Sequence, residues 1–136
     1  MSETMNETRV KVGEPTIDAE HDLQMQLLDS LSQILQRGAD FPSIRHVLEQ
    51  FIEFSDMHFL SEQLVMRLHG YPAYEKHLEE HTRLMKKLRE IRENIYHGAT
   101  SCPQLVHELR DWLLTHIATE DAAFGEYLKR NPGQTA

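Results

Sequence analysis

The sequence predicts an all-α protein, an up-down-up-down antiparallel four-helix bundle with an extended N-terminal arm. Three observations predict it. Four segments carry apolar residues at alternating spacings of three and four, the pattern of a helix with one buried face. Glycine or proline stands at each junction, where it ends one helix or opens the next. The connections are a few residues long, which makes consecutive helices antiparallel neighbours. The 136 residues read as one domain, with an arm over 1–16, the bundle over 17–130 and a tail over 131–136.

The first helix is expected from Ile17 to Arg37, stopping at Gly38, with His21, Gln24, Leu28, Leu31 and Leu35 on its seam. The second begins near Pro42, with Asp40 as a cap, and ends before Gly70. Its seam is Val47, Phe51, Phe54, His58, Ser61 or Glu62, and Val65. Pro72 is expected to open the third, which runs to His97 and stops at Gly98 with His77, His81, Leu84, Leu88, Ile91 and Ile95 inward. The fourth opens near Pro103, with Ser101 or Cys102 at the cap, and runs to Lys129 through Val106, Leu109, Leu113, His116, Phe124 and Leu128.

Composition removes several function classes. A net charge of −8 argues against nucleic acid and anionic membrane surfaces as partners. No apolar run approaches the roughly 20 residues of a membrane span. Met1 to Pro15 lacks the apolar core of a signal peptide, so the arm is read as a loose tail and the protein as cytoplasmic. The single cysteine, Cys102, cannot form an internal disulfide. The sequence has no glycine-rich phosphate loop, no Ser-His-Asp candidate and no internal repeat. The stretch Lys86, Lys87, Arg89, Glu90, Arg92, Glu93 is a solvated helix face.

The chemistry lies in the histidines. Of nine, His21, His58, His77, His81 and His116 fall on apolar seams, while His46, His69, His97 and His107 do not. His58 with Glu62, and His77 with His81, stand four residues apart on one helix face. His21 is early in the first helix, His58 late in the second, His77 early in the third and His116 past the middle of the fourth. Antiparallel packing brings all of them to one level of the bundle. A lone seam histidine is more often an ordinary core residue than a ligand. Imidazoles and carboxylates converging at one level, however, cannot satisfy one another without large desolvation cost, and cations remove that cost.

Neutral imidazole with carboxylate and no thiolate suits Fe, Mn, Zn or Cu. With Asp121, which follows His116 on the fourth helix, the ligand-type residues number seven, which exceeds what one tetrahedral zinc takes and suits two six-coordinate ions sharing bridging carboxylates. Leu78 stands where the zinc-protease motif requires glutamate. Imidazole-rich ligation offers little negative charge to a high-valent iron, a tendency toward reversible redox chemistry over oxygen activation.

These residues resemble the haemerythrins, the bacterial ones in particular. The likeness is carried by Ile17-Asp18-Ala19-Glu20-His21, by His58-Phe59-x-x-Glu62, by His77-x-x-x-His81 and by His116-Ile117-x-x-x-Asp121, and spans about residues 17–128. It implies reversible O2 binding at a non-haem diiron centre: two Fe ions, oxo- or hydroxo-bridged, in an oxygen carrier, store or delivery protein. By the resemblance His77, His81 and His116 complete one iron, His21 and His58 hold the other with a position left for O2, and Glu62 and Asp121 bridge the pair. O2 is then the ligand, and a redox or O2-accepting protein partner is unidentified. The alternative functions are a diiron enzyme of peroxidase, nitric-oxide or nitrite chemistry, and an NO- or O2-responsive module.

Phe59, Trp112, Leu113 and Ile117 match apolar pocket positions of the family; the alternative is that they are ordinary core residues, which for Phe59 and Trp112 fits nearly as well as a gating role. Gln24 stands where the family has an apolar residue. It either hydrogen-bonds the bound ligand or a water, or turns outward while Leu27 and Leu28 fill the core. The tryptophan common in the arm of bacterial relatives is missing. One spacing conflicts with the resemblance. Regular α-helix favours Glu120 as the partner of His116, because position i+5 is rotated by roughly 140°. The family pattern selects Asp121, and the expectation follows it: a bridging ligand has to reach sideways, and Glu120 is free to face solvent.

Overall fold

The computed structural model describes residues 11–98 and 102–132. Helix α1 spans Pro15–Gln36, α2 Phe41–Leu68, α3 Tyr74–Tyr96 and α4 Cys102–His116. A five-residue π-helical segment, Ile117–Asp121, leads from α4 into α5, Ala122–Arg130. Each long helix packs on the next, and α4 closes the ring on α1, which makes the expected bundle.

Local chemistry sets the helix ends. The Glu14 carboxylate accepts from the Ile17 N–H at 2.9 Å, and Pro15 occupies the first turn, where its missing N–H costs nothing. The helix therefore opens two residues before the expected Ile17. Asp40 caps α2 through the Ser43 N–H at 3.0 Å. Gly70 ends the next turn with φ at 62°, a conformation that L side chains rarely adopt. The expected opening of the third helix at Pro72 is corrected: Pro72 and Ala73 belong to the turn, and α3 starts at Tyr74 without a side-chain cap. Cys102 is the first residue of α4, and Ser101, the other suggested cap, lies outside the described residues.

Two apolar clusters hold the bundle. The larger includes Leu28, Leu31, Leu48, Phe51, Leu88, Ile91, Leu109 and Leu113, all fully buried. Full burial of such side chains is worth about 1.5–3 kcal/mol each. The smaller joins Val12, Ile17, Met66 and Phe124, with Tyr71, Tyr74 and Tyr127 against them, at the other side of the histidine level. Tyr127 donates its hydroxyl to the His69 carbonyl at 2.9 Å, which ties α5 to the α2–α3 turn.

The arm enters this smaller cluster without a tryptophan. Val12 is buried, and its N–H donates to Asp18 at 2.7 Å. Its backbone crosses α5 at Gly125, where a Cβ would lie 1.9 Å from the Val12 carbonyl oxygen. Residues 1–10 and 133–136 of the expected arm and tail lie outside the described residues.

Gly125→Ala therefore sets two effects against each other. Alanine gains about 1 kcal/mol of helix propensity, but overpacking against backbone costs about 1–3 kcal/mol. The variant is expected to melt lower than the parent. In a chain lacking residues 1–13 the same substitution should raise the melting temperature, because the obstructing carbonyl is gone. Equal shifts in both backgrounds would remove the arm contact as the reason for this glycine.

Candidate metal centre

Seven polar side chains meet between the two apolar clusters. His21, His58, Glu62, His77, His81, His116 and Asp121 are each 3% exposed or less. They come from α1, α2, α3, α4 and the π-helical segment, at the common level the sequence implied. His46, His97 and His107 are exposed and His69 is half-buried; none joins the group.

The two carboxylates divide their oxygens. Glu62 Oε1 faces His81 Nε2 at 2.9 Å and His77 Nε2 at 3.2 Å. Its Oε2 faces His21 Nε2 at 3.6 Å and His58 Nε2 at 4.0 Å. Asp121 Oδ1 faces His77 Nε2 at 2.7 Å and His116 Nε2 at 3.3 Å, and its Oδ2 faces His21 Nε2 at 2.9 Å. The ligand atoms thus form two compact sets. One holds His77, His81 and His116, the other His21 and His58, and Glu62 and Asp121 belong to both.

The spacing of five between His116 and Asp121 has a backbone cause. The Ala122 N–H bonds to the Ile117 carbonyl, five residues back, so the helix widens locally and position i+5 comes round to the face that i+4 occupies in an α-helix. Asp121 points inward alongside His116 and has no need to reach sideways. Glu120 is turned to the rim, where its carboxylate lies 3.8 Å from Lys76 Nζ. The residue expected from the resemblance is the one at the site, and the reason is the π-helical turn, which interrupts the continuous fourth helix expected from periodicity.

Two orienting residues were not anticipated. His58 Nδ1 lies 2.8 Å from Glu20 Oε1, and His81 Nδ1 lies 2.9 Å from Gln63 Oε1. Glu20 precedes His21 in the chain and Gln63 follows Glu62, so each flanks one ligand and fixes the ring of another on the next helix. The sequence signal was that adjacency to a ligand, combined with a side chain long enough to cross to the next helix.

These contacts show that the residues fit cations. In each, the partner atom is an oxygen acceptor, so Nδ1 donates, and a neutral ring held this way presents its lone pair at Nε2. His81 Nε2 then meets Glu62 Oε1 as acceptor against acceptor. Neither atom has a hydrogen-bond partner, nor do His21, His58 and His116 Nε2, Glu62 Oε2 or Asp121 Oδ2. Buried polar atoms are rarely left so. Cations between them satisfy both sides, and an Nδ1–H held by carboxylate or amide is the usual support of a ligating imidazole.

Ionisation follows the same geometry. Burial alone would lower the pKa of His21 and His77, but the Asp121 and Glu62 carboxylates facing them lift both to about 9. His81 is shifted down by burial, against the pull of Glu62. Burial alone would raise Glu62 and Asp121. The histidines facing them, His21, His77 and His81 for Glu62 and His116, His21 and His77 for Asp121, hold both below the usual carboxylate range.

The four pocket positions and Gln24 all lie inward or against a ligand. Phe59 stacks on His81 with centroids 4.1 Å apart and also tilts against His58 at 5.4 Å. Trp112 is half-buried and stacks on His116 at 5.2 Å and 8°. Leu113 and Ile117 are fully buried. Gln24 is also fully buried, which corrects its outward alternative. Its Nε2 donates to Ser55 Oγ at 3.0 Å, and its Oε1 has no partner.

Residues 12–128 match the family described as "Hemerythrin HHE cation binding domain". Among curated proteins, the "Bacteriohemerythrin" of Stenotrophomonas maltophilia (strain R551-3) is 25% identical over 93% of this chain and 82% of its own length. That of Campylobacter jejuni subsp. jejuni serotype O:23/36 (strain 81-176) is 27% identical over 91% and 94%. That of Pseudomonas aeruginosa (strain PAO1) is 24% identical over 90% and 79%. No helix among the described residues is long and apolar enough to cross a membrane.

Two outcomes are expected. Asp121→Asn should lower cation affinity tenfold or more, whereas Glu120→Gln, at the rim, should change it less than about twofold. Metal content after dialysis and direct titration check this, and the reverse order would displace Asp121 from the site.

The second concerns pH. A histidine raised from 6.5 to about 9 stabilises the folded chain fully below pH 6.5, and that stability is lost as pH rises through 9. The metal-free protein should therefore melt progressively lower from pH 6.5 to 9. A cation requires neutral rings, so the stabilisation it adds should grow over the same interval. Melting curves of stripped and loaded protein across that range show whether the trends diverge; parallel trends would contradict the protonation assigned to His21 and His77.

Proposed function

Since the chain belongs to the haemerythrin family, we propose that it binds O2 reversibly at a non-haem diiron centre, as a cytoplasmic carrier, store or delivery protein and not an enzyme. The observation that carries this reading is the division of each carboxylate between a three-histidine set and a two-histidine set. His77, His81 and His116 would hold one iron, His21 and His58 the other, and Glu62 and Asp121 would bridge them. Iron held there would supply reversible redox chemistry toward O2.

The chain's own groups fit that task. The two-histidine set has one ligand fewer, which leaves room for a small molecule there. Glu20 keeps the His58 ring oriented through Nδ1. Phe59, Trp112, Leu113 and Ile117 keep water from the imidazoles by stacking on them or filling the space beside them. Gln24 lies one turn from His21 on this side, with Ser55 holding one end of its amide and the other end unpaired. Its free atom would hydrogen-bond the ligand or an ordered water.

The test is to reduce the iron-loaded protein without air, admit O2, and follow the visible spectrum through several cycles of addition and removal. A band that appears and disappears repeatedly, with two irons per chain, is the expected result. In Gln24→Leu the release of O2 should quicken by up to about tenfold, the worth of one hydrogen bond. One-way oxidation at the first addition would replace binding with redox catalysis, and one zinc per chain would remove the diiron reading.

A further inference from the structure

We propose that the outer face of α2 is a pairing surface on which a second copy of this chain docks antiparallel. The inner face of α2 carries His58 and Glu62. The opposite face of the same turns carries Met57, Leu60, Leu64 and Leu68, with exposures of 46%, 59%, 56% and 52%. Leu23 of α1, 44% exposed, adds to one edge, where it lines a shallow groove with Phe54 and Met57. Four of the six large apolar side chains exposed among the described residues therefore form one ridge, three turns long, on one helix. Solvated helix faces are normally charged, and contiguous apolar patches of this kind mark interaction sites.

The ridge is complementary to itself. Asp56 and Arg67 are exposed and lie on the same flank of α2, the one toward α3. Neither takes part in an ion pair among the described residues. Two antiparallel helices related by a two-fold axis bring like flanks together. With the axis near Glu62, Leu60 meets the partner's Leu64, Met57 meets the partner's Leu68, and Asp56 meets the partner's Arg67. All three pairings fall within one residue of a single register. Parallel pairing would lose both ion pairs. Glu53, the remaining charge on the ridge, falls opposite the end of the partner's helix, where water reaches it.

A second copy is favoured over an unrelated cationic partner because one register satisfies both the apolar ridge and the two opposite charges. Four side chains along one helix offer less area than a permanent dimer buries, so a reversible dimer of micromolar or weaker affinity is expected.

Sedimentation equilibrium of the loaded full chain from about 10 μM to 1 mM should show monomer and dimer exchanging. Leu60→Glu with Leu64→Glu should abolish the dimer while helicity and metal content stay unchanged. Asp56→Arg alone and Arg67→Asp alone should each weaken it about tenfold by placing like charges together. An equimolar mixture of those two variants should form a heterodimer at least as tight as the parent, because every contact is again between opposite charges. A chain monomeric throughout, a dimer indifferent to the leucine changes, or charge variants that fail to complement one another would each overturn the proposal. The charge variants alter only surface residues, so the mixture remains decisive if the leucine variant does not fold.

Discussion

Two carboxylates buried at the same level of a bundle are the constraint on which the rest of this molecule depends. Glu62 and Asp121 are shielded from water, and like charges so placed require compensation. Cations held among the five imidazoles around them would supply it, and those imidazoles come from all four walls of the bundle. The helix phases, the antiparallel order and the short connections are each consistent with that demand. The apolar clusters on either side then make the site a polar layer between two dry ones, where the electrostatics of a few atoms are strong.

The orienting groups extend the layer outward. Glu20 and Gln63 are reached through the outer nitrogens of His58 and His81, so α1 is coupled to α2, and α2 to α3, through ligand rings as well as through packing. Phe59 touches rings of both histidine sets. Its contacts give a single side chain a view of both halves of the site.

Much of this was legible in the chain itself. Seam periodicity located four helices and placed five of nine histidines inward, because burial repeats every 3.6 residues wherever a helix is regular. It failed where the helix is irregular. Periodicity alone preferred Glu120, and Asp121 was reached only by likeness to a family, since a π-helical turn has no composition of its own. Pro72 misled for a related reason: proline suits the first turn of a helix and also the turn before it. The inward rotation of Gln24 depends on Ser55, thirty-one residues away, a pairing that no local pattern announces. Val12 enters the smaller cluster because Gly125 leaves a groove for its backbone, again a tertiary fact.

The π-helical turn has a consequence beyond the site. One surplus residue offsets everything after it by about 100° around the helix axis. Without that offset, the face of α5 that carries Phe124 and Gly125 would be out of phase with α4. The insertion therefore works as a phase shifter between two periodic rods. Upstream, the rhythm is tuned to the long core; downstream, to the small cluster that closes the end of the barrel-shaped bundle. A homologue lacking one residue here would carry its last carboxylate at position i+4 of an unbroken α-helix and keep both alignments, so a single gap in a sequence comparison would mark the exchange of the π-helical turn for regular helix.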